Sequence, residues 1–190
     1  MRRAQSIVGL LVFLAIAFSP QLPAAQSAAV GGSYTLLSLT YPDQMPNGLG
    51  AWLSWDLAGS AVGLDLAANV FPEDHPIIGR QTQFMAGVRS GIRLGKVGLF
   101  GRIRPGLVHF SERFLAPDIG CIAIFPTPEA CLADPTNFAL DVGGSVELYP
   151  TRSAIVRIDV GDTLIRFGRT ALDPAWKHNF QFAAGGGVRF

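Results

Sequence analysis

The sequence is poor in charge and in cysteine, and it has no long apolar run beyond its amino-terminal residues. Only 15% of the 190 residues are charged, whereas soluble domains usually carry about 25%. The net charge is +1 and the Lys and Arg residues are scattered, so there is no electrostatic basis for binding nucleic acid. No later segment has the roughly 18 continuous apolar residues of a membrane helix.

The amino-terminal segment has the layout of a secretory signal peptide. Arg2 and Arg3 precede an apolar run from Ile7 to Phe18, and small residues follow from Ala24 to Ala29. The run is too short for a spanning helix, which needs about 20 apolar residues. We therefore expect a signal peptide over residues 1–28, cleaved between about 25 and 29, and one domain over residues 29–190. A retained helical anchor is the alternative.

The rest of the chain is rich in glycine, with 22 in all, and alternates apolar and polar residues at every second position. In the segment Phe138–Leu148, for example, Asp141, Ser145 and Glu147 share one face and apolar residues share the other. This period is typical of half-buried strands. It predicts eight strands of the length that crosses a membrane when tilted. They cover approximately residues 33–41, 49–57, 62–70, 83–93, 97–107, 138–148, 154–163 and 180–190.

A soluble sandwich shows the same alternation, so the connections help to decide. Short and long links alternate along the chain, as in outer-membrane barrels with short periplasmic turns and longer outer loops. The short links lie near Gly59-Ser60, Gly95-Lys96 and Pro150-Thr151. The long links are Pro42–Gly48, Pro72–Arg80, Ser111–Thr136 and Gly168–Lys177. We expect the long links to face outward and both termini to lie in the periplasm.

The polar face of the strands carries both signs of charge and many glycines, whereas the other face is aliphatic and aromatic. The interior of an eight-stranded barrel is only wide enough for side chains. Glycines on this face are expected to leave room for arginine side chains, and opposite charges can pair, which is the condition for burying them. The predicted interior network comprises Asp56, Asp65, Arg89, Arg93, Arg102, Arg104, Asp141, Glu147, Arg157, Asp159 and Arg189. The sequence thus predicts an all-β, eight-stranded, antiparallel up-and-down transmembrane β-barrel.

Three segments carry a family resemblance: His178–Phe190, Gly101–Gly106, and Tyr149–Arg152 together with the following Arg157–Asp162. With them the chain resembles the small outer-membrane β-barrel family typified by the OmpA and OmpX transmembrane domains and by porin-family outer-membrane proteins. The resemblance implies a place in the bacterial outer membrane, contact with its lipid, and a terminal strand, ending at Phe190, that is read by the barrel-assembly machinery. It implies no cofactor.

Two local features concern architecture. Pro105 interrupts a strand pattern, which removes a ladder hydrogen bond, and we interpret it as a bulge near the outer rim on the outward face. Aromatic residues near the strand ends suit the girdles at the two membrane interfaces. These are Trp55, Tyr149, Trp176 and Phe190.

Cys121 and Cys131 lie in the longest link, and an even pair in a secreted chain predicts a disulfide. A metal site there is disfavoured, because no His or further Cys is near. Four carboxylates and a histidine in the outer links could bind a cation, but their spacing matches no calcium loop, so we favour solvated loop charge. The residues concerned are Asp43, Glu73, Asp74, His75 and Asp118.

His109 and Ser111 share a strand face, as a hydrolytic pair would. In this His-x-Ser they resemble a lipid A deacylase among the small barrels. The pair lacks a clearly placed carboxylate, so we favour rim residues and no enzymatic activity. The expected function is structural or surface-interacting, in membrane integrity or adhesion, with an unknown partner bound by the loops. A narrow porin for small solutes or ions is the alternative, and a lipid-modifying enzyme is the third candidate.

Overall fold

The computed structural model describes residues 27–40, 43–57, 62–75, 79–113, 132, 134–167 and 175–190. Its described residues form eight long strands and two short ones. The long strands are β1 (Ser27–Thr40), β3 (Asn47–Asp56), β4 (Val62–His75), β5 (Gly79–Leu94), β6 (Val97–Phe110), β7 (Thr136–Leu148), β8 (Ala154–Phe167) and β10 (Phe180–Arg189). The short strand β2 (Asp43–Gln44) pairs with β1, and β9 (Ala175–Lys177) pairs with β8. No helix among these residues is long and apolar enough to cross a membrane.

The eight long strands close into a barrel. Each pairs antiparallel with the next along the chain, and β10 pairs with both β8 and β1. The closing register runs from Ala29 opposite Arg189 to Ser38 opposite Phe180. Closure pairs the first and last long strands, which would otherwise be exposed sheet edges. The predicted eight-stranded antiparallel barrel is therefore confirmed.

The first strand begins earlier than the sequence indicates. It starts at Ser27 rather than near Ser33, and Ser27 pairs with Asp56 of β3. The pattern misses this part of β1 because Gly31 and Gly32 carry no side chain to mark either face. The boundary between signal peptide and barrel remains a prediction, and cleavage near residue 25 would leave β1 whole.

The expected long link Pro72–Arg80 is wrong. Strand β4 continues to His75 and β5 begins at Gly79, so only residues 76–78 separate them. The register shifts between Phe71 and His75, which accommodates Pro72 inside the strand. Gly79 has a φ of 62°, the left-handed conformation that glycine adopts at low cost. The other long links lie beyond Thr40, Phe110 and Phe167 at this same end, which we call the long-loop end.

Pro105 does not form the expected bulge. The β6–β7 register is continuous through Pro105 and Leu140. On the other side, Gly106 pairs with Met85 and Ile103 with Val88, which is the same register on both sides of the proline. Because Pro105 has no N–H, the residue pairs with β5 are interrupted at this point, but the register is unchanged. Pro105 does face outward, as its position in the alternation indicates.

The two faces of the barrel have opposite chemistry. Exposed large hydrophobic side chains surround its outside, among them Leu53, Val88, Ile103, Val142 and Ile158. The alternating partners point inward, where Asp65, Asp141 and Glu147 have no exposed surface. A sheet face covered in aliphatic side chains suits a lipid surround, whereas water would leave this area unfavourably exposed.

Candidate functional site in the barrel interior

The predicted charged residues lie on every long strand except β1 and point into the barrel. Ten of them form one connected set of ion pairs, which we call the ion-pair network. Its members are Asp56, Asp65, Arg89, Arg93, Arg102, Arg104, Asp141, Glu147, Arg157 and Asp159. The five carboxylates balance the five guanidinium groups, and such pairing is what makes buried charge tolerable.

One half of the network lies toward the chain termini. Arg89 Nη2 donates to Asp56 Oδ1 at 2.6 Å, and Arg89 Nη1 donates to Glu147 Oε1 at 2.5 Å. Arg93 also pairs with Asp56, and its Nε donates to the Tyr149 hydroxyl at 2.9 Å. That hydroxyl donates to Glu147 Oε2 at 2.6 Å. Burial and the neighbouring Glu147 carboxylate raise the pKa of Tyr149 above its usual range, so the phenol keeps its proton.

The other half is centred on Asp141 of β7. Its Oδ2 accepts from Arg102 Nε and from Arg104 Nε, both at 2.9 Å. Arg102 also pairs with Asp159, and its Nη1 donates to the Gly144 carbonyl at 3.0 Å. Each arginine thus serves several acceptors, as the fixed fork of the guanidinium group allows.

Arg157 joins the two halves across the lumen. Its Nη2 donates to Asp65 Oδ2 at 2.7 Å, its Nε donates to Asp159 Oδ1 at 2.9 Å, and its Nη1 lies 3.9 Å from Glu147 Oε1. In the strand order of the barrel, β8 and β4 are opposite, so the Arg157–Asp65 pair crosses the lumen. The Arg157 guanidinium also stacks 5.0 Å from the ring of Trp52.

Arg189, the eleventh predicted residue, has a different role. Its guanidinium carbon lies 5.0 Å from the Tyr149 ring centroid. The network therefore holds Tyr149 by its hydroxyl, while Arg189 covers the ring. Tyr149 itself is buried, so its predicted place in an aromatic girdle is wrong. Its hydroxyl has charged partners inside the barrel, which fixes the ring at the termini end of the lumen.

A neutral polar layer, which the sequence analysis missed, lies next to the charges on the long-loop side. Asn69 Nδ2 donates to Gln83 Oε1 at 2.7 Å, and Gln83 Nε2 donates to Gln181 Oε1 at 3.1 Å. The Thr163 hydroxyl donates to the same Gln181 oxygen at 2.8 Å. Because β5 and β10 are opposite in the barrel, the Gln83–Gln181 bond crosses the lumen a second time.

An apolar layer closes the long-loop end, and it was also missed. Its members are fully or almost fully buried. They are Leu37, Leu39, Phe71, Met85, Val108, Phe110, Ala139, Ile165 and Phe167. At these strand ends the inward residues are apolar and the outward face carries polar residues such as His109 and Arg166, so the alternation seen along the rest of the barrel is reversed. Following every second residue along each strand would have found them, since Phe71 continues the inward series of Asp65 and Asn69.

The inward glycines do not chiefly make room for arginine. A Cβ built at Gly87 would lie 2.0 Å from the Ile103 carbonyl oxygen, and one at Gly185 would lie 2.0 Å from that of Gly32. A Cβ at Gly161 or at Gly63 would meet a carboxylate of the ion-pair network, Asp141 Oδ1 or Asp56 Oδ1 respectively, each at 3.0 Å. The expectation that the glycines leave room for arginine is therefore wrong for most of them, because the backbone of the neighbouring strand takes this space.

The remaining aromatic predictions agree with exposure at the strand ends. Trp55, Trp176 and Phe190 are 40%, 43% and 48% exposed. Trp176 packs edge-on against Phe138 with ring centroids 6.1 Å apart. The assembly role of Phe190 remains a prediction.

His109 and Ser111 are engaged separately. His109 faces outward and its Nδ1 lies 2.9 Å from the Thr136 hydroxyl. Ser111 lies beyond the end of β6, and its hydroxyl accepts the Arg80 N–H at 2.8 Å. No hydrogen bond joins the two residues in the described part of the chain, which gives the hydrolytic hypothesis no structural support.

Several loop predictions cannot be placed. Cys121, Cys131 and Asp118 lie outside the described residues, as do the side chains of Asp74 and His75. Within the described ranges, no group of three or more His, Cys, Asp or Glu side chains is placed to hold a metal ion. The disulfide stays a prediction.

A closed barrel with eight antiparallel strands, an apolar belt and paired charges inside has the architecture of the small outer-membrane barrels. The structure is similar to the crystal structure of Neisserial surface protein A (NspA), with a TM-score of 0.50 and 14% identity over 87% of this chain and 96% of that one. It is also similar to the amino-terminal β-barrel domain of Pseudomonas aeruginosa OprF, with a TM-score of 0.50 and 13% identity over 85% of this chain and 97% of that one. No protein-family model matches the chain, and no curated protein sequence does. The fold is thus that of the small outer-membrane barrels.

Proposed function

We propose that the chain is a bacterial outer-membrane barrel with a structural, surface-interacting role rather than an open channel. The observation that carries the proposal is the Arg157–Asp65 ion pair across the lumen, with the Gln83–Gln181 hydrogen bond as a second crossing. Two layers of bonded side chains fill an interior that is narrow in any eight-stranded barrel. The apolar outer face supports the place in a membrane, and the fold supports the outer membrane.

Planar-bilayer recording tests the closed interior. The purified barrel is expected to give no stable current steps, while a general porin reconstituted in the same way serves as the positive control. Large stable currents from the wild-type protein would reject the closed interior. This outcome would favour the narrow porin. Its supporting observation is that three buried atoms, Arg102 Nη2, Arg157 Nη1 and Asp141 Oδ1, have no hydrogen-bond partner within the described part of the chain.

A cell-based experiment separates membrane integrity from surface interaction. A strain lacking the protein is expected to admit more detergent, and both the wild type and a variant with residues 114–131 replaced by a short Gly/Ser link should restore the barrier. Adhesion to host or abiotic surfaces should be restored by the wild type alone. Equal adhesion of the two complemented strains would contradict a role for the longest loop.

A further inference from the structure

A cleft of about 270 Å³ opens at the long-loop end of the barrel. Its apolar lining includes Phe71, which is buried, and Met45, which is 66% exposed. Asp43 of β2 and Glu73 of β4 add carboxylates. The cleft lies outside the ion-pair network, and the proposed structural role does not use it.

Gln81 is the feature that distinguishes this cleft from an ordinary surface depression. The residue lines the cleft and is 1% exposed, yet neither its amide nitrogen nor its amide oxygen has a hydrogen-bond partner among the residues that the structure describes. Gln83, two positions along the same strand, has both amide atoms bonded, to Asn69 and Gln181. A buried amide without partners is costly, so a group offering both a donor and an acceptor would bind there favourably.

The charged residues that line the cleft favour a positively charged ligand. Among the described residues that line it, Asp43 and Glu73 are the charged ones, and none is Lys or Arg. Glu73 Oε1 accepts a hydrogen bond from Asn47 Nδ2 at 2.8 Å, which holds the carboxylate in place. Two carboxylates beside an apolar wall suit an ammonium group attached to an apolar body.

We propose that this cleft binds a small organic amine that carries an amide and an apolar substituent, the chemistry of the amino-terminal residue of a peptide. The ammonium group pairs with Asp43 and Glu73. The apolar substituent packs on Phe71. The amide of the ligand exchanges two hydrogen bonds with the Gln81 amide, as two amides can.

Calorimetric titration of the purified full chain in detergent micelles tests the proposal with L-leucinamide as the probe. Saturable binding is expected. N-acetyl-L-leucinamide, which lacks the charge, should bind about tenfold more weakly or worse, because charge-assisted hydrogen bonds are lost. Absence of saturable binding by L-leucinamide, or equal binding of the acetylated compound, would overturn the proposal.

Three variants locate the site. Gln81→Leu and Glu73→Gln should each weaken L-leucinamide binding about tenfold, whereas Asp134→Asn, which changes the same charge in the link before β7, should bind as the wild type does. Glu73 is exposed, so its variant keeps the test valid if Gln81→Leu does not fold. Wild-type affinity in either cleft variant, or equal loss in Asp134→Asn, would refute the assigned site.

Discussion

At the residue scale, the interior is held together by arginines that each face more than one acceptor. Arg157 pairs with Asp65 and Asp159 and lies near Glu147, so its removal would leave several buried carboxylates short of a partner. Burying a charge pair is a poor source of net stability, but breaking one is strongly destabilising. The sequence could identify these charges by their position in the alternation. It could not tell which pairs form, because the partners depend on strand order and on how far each side chain reaches across the lumen.

Replacing Arg157 with Met should lower the free energy of unfolding by about 3–5 kcal/mol, because the carboxylates around it stay buried. Urea unfolding in lipid vesicles measures this change. Arg152→Met is the matched control, since Arg152 is exposed in the turn after β7, and it should stay within about 0.5 kcal/mol of the wild type. Equal unfolding free energies for the two variants would contradict the cross-lumen pairing.

Tyr149→Phe removes the hydroxyl that accepts from Arg93 and donates to Glu147. The expected loss is about 1–3 kcal/mol, because the buried Glu147 carboxylate loses a donor. The control is Tyr34→Phe, whose side chain is 49% exposed on the outer face and should change stability little. The same unfolding measurement applies, and a Tyr149→Phe barrel as stable as the control would place the hydroxyl outside the network.

At the element scale, alternation identified all eight long strands but misplaced some of their ends. It was reliable where the inward face is charged, as in β7. It was weak at the start of β1, where both faces are small, and at the loop ends of β6 and β8, where the inward residues are apolar and the outward face carries His109 and Arg166. The continuation of β4 past Pro72 was missed because proline is normally a strand breaker, and a register shift accommodates it here. Strand contacts also explain the inward glycines, since neighbouring backbones approach too closely for a Cβ.

Gly87→Ala should therefore destabilise the barrel by about 1–3 kcal/mol, the usual cost of overpacking, since its Cβ would meet the Ile103 carbonyl oxygen at 2.0 Å. Gly101→Ala on the adjacent strand is the control. Its Cβ would face outward with the nearest atom, the Ser90 carbonyl oxygen, at 3.9 Å. Unfolding in vesicles compares the two, and a control as damaging as Gly87→Ala would contradict crowding by the neighbouring backbone as the cause.

At the scale of the whole molecule, the barrel is inside out, with its apolar face pointing outward and its charged face pointing into the lumen. Composition, the signal-like segment and two-residue alternation were sufficient to predict a closed, inside-out barrel. They were not sufficient to predict the three layers of the lumen, because layering depends on the stagger between strands. The cleft was likewise not predicted from the sequence, because Asp43 and Glu73 were interpreted as solvated loop charges and Gln81 lay outside the predicted strand over residues 83–93.

Fluorescence quenching of the three native tryptophans tests this inside-out arrangement most directly. The quenchers are lipids brominated on the part of the acyl chain next to the headgroup. Trp52 is 3% exposed inside the barrel, whereas Trp55 and Trp176 are 40% and 43% exposed outside. Three variants, each keeping one tryptophan and replacing the other two with Phe, are reconstituted into these lipids. We predict strong quenching of Trp55 and Trp176 and little quenching of Trp52. Strong quenching of Trp52, or none for the two outer tryptophans, would contradict a barrel whose apolar face meets lipid.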